Sequence, residues 1–301
     1  MAQSDSEGVK AVEPLPHKIK SDLFLPIPSV FLPGFGQCFQ GEMSWLAYSG
    51  AALGGIFLAV NGNSDLRKDS VYREGRTPGP TDGVKSWPVR KILLGSLAYQ
   101  GAGFMSAYST FRRAVPVFQR EDKKYLFLNN QEPLGNLFKA PFQLSYLAKP
   151  TSSIPLGLLT AAIGYIVIDQ RLNHKNSNWL FSFDDGVFSS MLAYNAGVSE
   201  EALFRGYLLP LAYQYTGETW ILANGLQATL FGLAHYSSKN RYPFPQAIIG
   251  YYLGYLTRKN NWTLGQSIFT HFWWDALLFT GQFLTLRETS ANLSLELPLP
   301  L

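Results

Sequence analysis

Apolar residues in this chain gather into blocks of helical length, separated by polar and proline-bearing connections. That pattern predicts membrane-crossing helices in place of one large soluble core. Met43 to about Val60 predicts a first span, in which Gly50 and Gly54 have the spacing that lets two helices approach closely. Ile92 to about Phe111 predicts a second, Ser152 to about Asp169 a third, and Val187 to Tyr213 a fourth. Trp220 to His235 predicts a fifth that is short for a full crossing. Gln246 to Thr257 predicts a sixth, with Gly250 and Gly254 repeating the small-residue spacing, and Thr263 to about Leu286 a seventh. The expected fold is all-α, a polytopic α-helical membrane protein with about seven transmembrane segments.

The connections carry their own signals. Met1 to Asp22 is polar, with no apolar stretch of the signal-peptide kind, and reads as a loosely attached tail. Pro26, Pro28 and Pro33 prevent a spanning helix between Leu23 and Gly41. Asn61 to Lys91 reads as a polar loop and Arg112 to Lys149 as a long basic connection. The latter half of that connection, Leu134 to Leu147, is expected to lie in the membrane interface as an amphipathic helix. Arg171 to Asp185 is a polar return containing His174, and the end of the chain, to Leu301, reads as unstructured.

Composition sharpens this picture. The 301 residues are 47% hydrophobic and only 15% charged, against about 25% charged in ordinary globular domains. The net charge of +4 comes from basic residues in the connections, which suits anionic lipid better than nucleic acid. Basic residues on both sides of the second span leave the orientation open. The single cysteine, Cys38, excludes an internal disulfide and a cysteine-based metal cage, and reads as a small buried hydrophobe.

Candidate chemistry centres on Ser199-Glu200-Glu201-Ala202-Leu203-Phe204-Arg205-Gly206, in the middle of the fourth block. Two glutamates and an arginine at that depth cost roughly 7 to 10 kcal/mol unless they pair or meet water. Glu201 and Arg205 are spaced i, i+4 with the acid first, the favourable order for a helical ion pair. Glu200 then remains, about 100° round the helix on the side of Gly197 and Phe204. His235 ends the fifth block in Phe231-Gly232-Leu233-Ala234-His235, and His271 and Asp275 share a helical face of the seventh; His17 and His174 lie outside the blocks. A desolvated carboxylate with imidazoles suits amide hydrolysis, the acid activating water and the imidazoles donating to the oxyanion. Glu200, His235 and His271 could instead hold zinc with an open position for water. A proton or cation relay in a transporter, or a non-catalytic scaffold, uses the same residue types.

Glu200-Glu201-x3-Arg205, Phe231-x3-His235 and His271-x3-Asp275, in that order on three successive segments, resemble the motifs of the CAAX-protease and bacteriocin-processing (CPBP) family of intramembrane endopeptidases. That family includes the Rce1-type proteases that trim prenylated proteins. The resemblance covers about Val187 to Leu286. It implies that Glu200 activates water with His235 assisting, that Glu201 and Arg205 support the site, and that His271 and Asp275 form the oxyanion pair. Asp275 stands where the family often has Asn. An ionised aspartate cannot donate a hydrogen bond, so it must be protonated, orient His271 or help bind a metal. The resemblance further implies a glutamate-type peptidase needing no cofactor, with zinc as the metal-dependent alternative. The implied partners are the lipid bilayer and a peptide or membrane-protein substrate, lipidated in some relatives, and the implied location is the inner membrane of a bacterial cell, as an integral multi-pass protein. The corresponding domain reading is a tail and a re-entrant or interfacial segment at 1–42, accessory membrane helices with polar loops at 43–150, a protease core at 151–286 and a tail at 287–301.

Overall fold

Prolines at positions 26, 28 and 33 cut the start of the chain into α1 (Pro26–Phe31) and α2 (Phe35–Phe39), in a computed structural model that describes residues 23–68, 85–121, 123–129, 131–173, 181–237 and 240–285. All regular secondary structure among these residues is helical. The readings of the two terminal tails, His17, His174 and the middle of the first polar loop lie outside the described residues. Gly34, with φ of 96°, makes the turn between α1 and α2, where a Cβ would meet the Trp45 carbonyl oxygen at 2.7 Å. Cys38, expected to be buried, is exposed on α2.

Next come α3 (Trp45–Lys68) and α4 (Trp87–Glu121), antiparallel neighbours. Their contact is made by glycines other than the predicted ones. A Cβ on Gly55 would meet the Gly95 carbonyl oxygen at 2.5 Å, and one on Gly62 the Pro88 carbonyl oxygen at 2.6 Å, whereas Gly50 and Gly54 face open space. Glycine does mark the close approach in α3, but at Gly55 and Gly62 and not at the expected Gly50 and Gly54. Both helices outrun their apolar blocks, α3 continuing into Asn61–Lys68 and α4 into Arg112–Glu121, because extending an established helix is far less costly than nucleating one, even through weak helix formers such as Asn61, Gly62 and Pro116.

Within the bundle, α4 is the pillar. Ala107 and Phe111 are fully buried, and Phe104, Val115 and Phe118 join them in a core with Tyr125, Leu203, Phe204, Tyr207 and Phe231. Buried Ser106 exchanges hydrogen bonds with Gln37: its Oγ donates to Gln37 Oε1 at 2.7 Å and its carbonyl accepts from Gln37 Nε2 at 2.8 Å, while the same Oγ accepts from the Gly34 backbone N–H at 2.9 Å. The N-terminal hairpin is thereby fixed to α4.

The expected interfacial helix at 134–147 is instead α5 (Leu134–Lys139) followed by 3₁₀ turns at Ala140–Phe142 and Leu144–Ala148, interrupted by Pro141. The remaining helices are α6 (Pro150–Asn173), α7 (Phe183–Asn195), α8 (Glu201–Leu203), α9 (Leu209–Tyr215), α10 (Trp220–Ala234), α11 (Phe244–Lys259) and α12 (Gly265–Thr285). Residues 183–215 form one winding rod, in which π turns at Ala196–Glu200 and Phe204–Leu208 flank α8.

The expectation of about seven transmembrane segments is overturned. Among the described residues only α3 and α6 are long and apolar enough to cross a membrane. With 15 and 16 residues, α10 and α11 reach only about 22 to 24 Å, short of a hydrocarbon core of about 30 Å. The other blocks are helical but too polar: α4 carries Arg90, Arg112 and Arg113, the 183–215 rod carries Glu200, Glu201 and Arg205, and α12 carries Gln266, His271 and Asp275. Several of these polar side chains pair inside the protein, among them Arg90 with Asp185, and Arg205 and His271 with Glu201. By contrast, only 17% of the apolar window of α3 and 11% of that of α6 is buried, so neither is a core helix. The all-helical fold with two such outward-facing helices supports a membrane-associated protein.

Candidate active site

The site is assembled at the middle of the 183–215 rod, whose start is anchored by Asp185. Ser182 and Asp185 form a capping box, the Ser182 backbone N–H donating to Asp185 Oδ2 at 2.8 Å and the Asp185 N–H to Ser182 Oγ. Lys85 donates to the same carboxylate at 2.7 Å and Arg90 to its other oxygen. Burial works against the Asp185 charge, but Lys85, the Ser182 amide and Arg90 together outweigh it and hold the carboxyl below its ordinary range. The rod thus starts from a fixed point.

Further along, the rod leaves α-helical register on both sides of Glu201. A π turn lodges an extra residue in a helix and recurs at functional sites because it redirects side chains locally. Gly197 in the first of these turns lets α12 approach: a Cβ there would meet the Phe272 backbone nitrogen at 2.9 Å. This close approach sets the neighbour of Phe272, His271, beside the two glutamates.

Glu201 and Arg205 form the predicted ion pair at 2.7 Å, with both side chains fully buried. Arg205 also donates to the Gly250 carbonyl at 2.8 Å, which joins the rod to α11, and its guanidinium carbon lies 4.4 Å from the centre of the Phe231 ring. The same Glu201 oxygen contacts His271 Nδ1 at 2.8 Å. On the other edge of that imidazole, Nε2 faces Asp275 Oδ2 at 3.3 Å. With carboxylates at both nitrogens, only the doubly protonated ring donates to both. Of the three roles open to Asp275, its position beside His271 matches the orienting one.

Glu200 lies differently. It is 8% exposed, and its Oε2 has no hydrogen-bond partner among the described residues. Two imidazole nitrogens face that oxygen, His235 Nε2 and His271 Nε2, each at 3.9 Å. Such a separation exceeds a direct hydrogen bond and suits a shared water. His235 Nδ1 lies 2.8 Å from the Phe231 carbonyl, which only accepts, so this nitrogen carries the proton and Nε2 presents a lone pair in the neutral ring. Phe231 packs edge-on against Phe204 at 5.0 Å and contacts both histidine rings, at 4.6 Å for His235 and 5.8 Å for His271.

All seven candidate residues are therefore brought to one locus: Glu200, Glu201 and Arg205 from the rod, Phe231 and His235 from the end of α10, His271 and Asp275 from α12. Among the described residues no group of three His, Cys, Asp or Glu side chains is placed to hold a metal ion. Glu200, His235 and His271, the alternative zinc set, do not form such a group.

Three supporting residues were not read from the sequence. Gln227, fully buried, donates to the Gly250 carbonyl at 3.0 Å, the oxygen Arg205 also uses, and to Asn224 Oδ1 at 2.7 Å. A signal for these two was available, since amides three apart on an otherwise apolar helix share a face. Glu132 accepts from the Leu264 and Gly265 backbone N–H groups at 2.5 and 3.1 Å, capping the helix that bears His271. Burial raises the Glu132 carboxyl above its ordinary range although these two amides pull it down. Nothing in the local sequence signalled that role, because its partners lie more than a hundred residues away.

No curated protein and no solved structure matches the chain. Residues 185–277, the stretch from the Asp185 anchor to just past Asp275, match the family described as type II CAAX prenyl endopeptidase Rce1-like. An Rce1-like CAAX-protease domain is present in this chain, and it contains every residue of the cluster around Glu200.

Proposed function

We propose that the Glu200 cluster is the active site of an endopeptidase that hydrolyses a peptide bond close to a membrane, with Glu200 as general base. The Rce1-like domain supports peptidase activity in general, and the observation that carries the finer reading is the environment of Glu200 Oε2. It is a buried acceptor with no donor bonded to it, flanked by two imidazole nitrogens at equal distance. A carboxylate stripped of water and of donors is a stronger base than one in solution.

In the proposed reaction Glu200 takes a proton from a water bridging it to His235, whose Nε2 lone pair accepts the second hydrogen bond and directs the oxygen. The hydroxide so formed attacks the carbonyl carbon. Negative charge develops on the carbonyl oxygen, and His271, held as imidazolium between Glu201 and Asp275, turns its Nε2–H from Asp275 toward it. Glu200 then returns its proton to the departing amine nitrogen as the C–N bond breaks. Glu201, Arg205 and Phe231 hold these groups in place. The substrate in this reading is a peptide or membrane-protein segment, with or without an attached lipid, and the protein is an integral membrane protein of a bacterial inner membrane, with 151–286 as its catalytic unit.

The test is cleavage of a reconstituted membrane peptide by Glu200→Gln and His235→Ala. Glu200→Gln is expected to lower the rate at least about a thousandfold and His235→Ala about a hundredfold or more, with thermal unfolding unchanged. Cleavage at the wild-type rate by both variants overturns the proposal. Loss of ion or proton flux in place of peptide cleavage would assign the same residues to a relay.

A further inference from the structure

Away from Glu200, the N-terminal helices and α4 line a polar cavity of about 480 Å³. Gln40, Glu42 and Ser44 line it from the turn between α2 and α3, and Arg112, Arg113 and Gln119 from the C-terminal half of α4. Its charges do not cancel. Glu42 pairs with Arg113, while Arg112, partly exposed in the same cavity, makes no ion pair among the described residues. Gln40 donates Nε2 to the Thr110 carbonyl at 3.1 Å and leaves its Oε1 without a partner. A polar chamber with a spare guanidinium and a spare acceptor is built for an anion that also carries hydrogen-bonding groups.

The location of the cavity identifies the class of that anion. Glu42 and Ser44 immediately precede Trp45, where α3 begins, and α3 is one of the two helices able to cross a membrane. The end of such a helix lies at the depth of lipid headgroups. Beside the cavity, Phe39 and Met43 are 68% and 71% exposed, apolar side chains next to a cationic one. We propose that this cavity binds the headgroup of an anionic phospholipid, its phosphate held by Arg112 and its acyl chains running past Phe39 and Met43. Guanidinium matches phosphate with paired N–H donors, where an ammonium acts as a point charge. The proposal depends on α3 entering the membrane and is independent of the peptidase reading.

The experiment is calorimetric titration of the purified full chain, in neutral detergent, with dihexanoyl phosphatidylglycerol, dihexanoyl phosphatidylcholine and inorganic phosphate. The wild type is expected to bind the phosphatidylglycerol, and Arg112→Gln to bind it about tenfold more weakly, with Arg112→Lys in between. Phosphatidylcholine and inorganic phosphate are expected to bind at least about tenfold more weakly than phosphatidylglycerol. Equal binding of the two lipids, or unchanged affinity in Arg112→Gln, overturns the proposal. Inorganic phosphate binding as tightly as the lipid overturns the lipid source and leaves a free-anion site. Should Arg112→Gln lose its thermal transition, Met43→Ser decides: weaker phosphatidylglycerol binding with phosphate binding unchanged supports the proposal, and unchanged lipid affinity overturns it.

Discussion

Glu200 and Glu201 are adjacent in sequence and differently paired. Glu201 has one oxygen bonded to both Arg205 and His271, whereas the Glu200 oxygen that faces the two imidazoles has no bonded donor. Their neutral variants are therefore expected to separate stability from activity. Glu201→Gln leaves a fully buried guanidinium without its counter-ion and should lower unfolding stability by about 3 to 5 kcal/mol, measured by denaturant titration in detergent. Glu200→Gln should leave that titration unchanged. A Glu201→Gln loss below about 0.5 kcal/mol, the range of neutral surface changes, would contradict a structural role for the pair. At this scale the sequence was informative where partners are close along the helix: the i, i+4 pairs Glu201–Arg205 and His271–Asp275 both stand in contact. It was silent on Glu132, whose partners are the backbone amides of Leu264 and Gly265, groups that every residue carries.

At the scale of elements, the rod that bears Glu200 is held at its start by one carboxylate. Because the Asp185 carboxyl is held below its ordinary value of 3.8 in the folded protein, its contribution to stability is present above pH 3.8 and is lost as pH falls through the lower folded value. Asp185→Asn is expected to melt at lower temperature than the wild type at neutral pH, and the gap should close only below pH 3.8. Thermal scans across pH check this, and a gap closing near neutrality would point to another group. Helix positions were legible to within a few residues from apolar periodicity alone. Helix ends were not, since Asn61–Lys68 and Arg112–Glu121 extend their helices with residues that a pattern of apolar blocks counts as loop. The π turns were equally hidden, because the residues forming them, such as Gly197 and Phe204, carry no mark that separates a π turn from an α turn.

For the whole molecule, the decisive question is which apolar surface meets lipid. A composition that is 47% hydrophobic cannot answer it, as a buried core and a lipid-facing helix draw on the same side chains. The structure separates them: Phe111 is fully buried, whereas Phe57 on α3 and Leu158 on α6 are 73% and 68% exposed. Seven blocks were counted as spans because block length and hydrophobicity were visible and burial was not. Leu158→Arg is expected to reduce membrane insertion by about 2.5 to 3.5 kcal/mol, read from the membrane and soluble fractions after expression. If α6 met only water, the same change would be neutral within about 0.5 kcal/mol.

The two surplus residues stored around Glu201 bear on how chains of this kind can change length. Loss of a single codon at 196–200 or 204–208 is absorbed by tightening one π turn to an α turn, so the flanking helices keep their partners. The same event within α12 would swing every side chain beyond it by about 100° and carry His271 away from its neighbours. Drift in length is thereby admitted beside the glutamates and refused at the histidine.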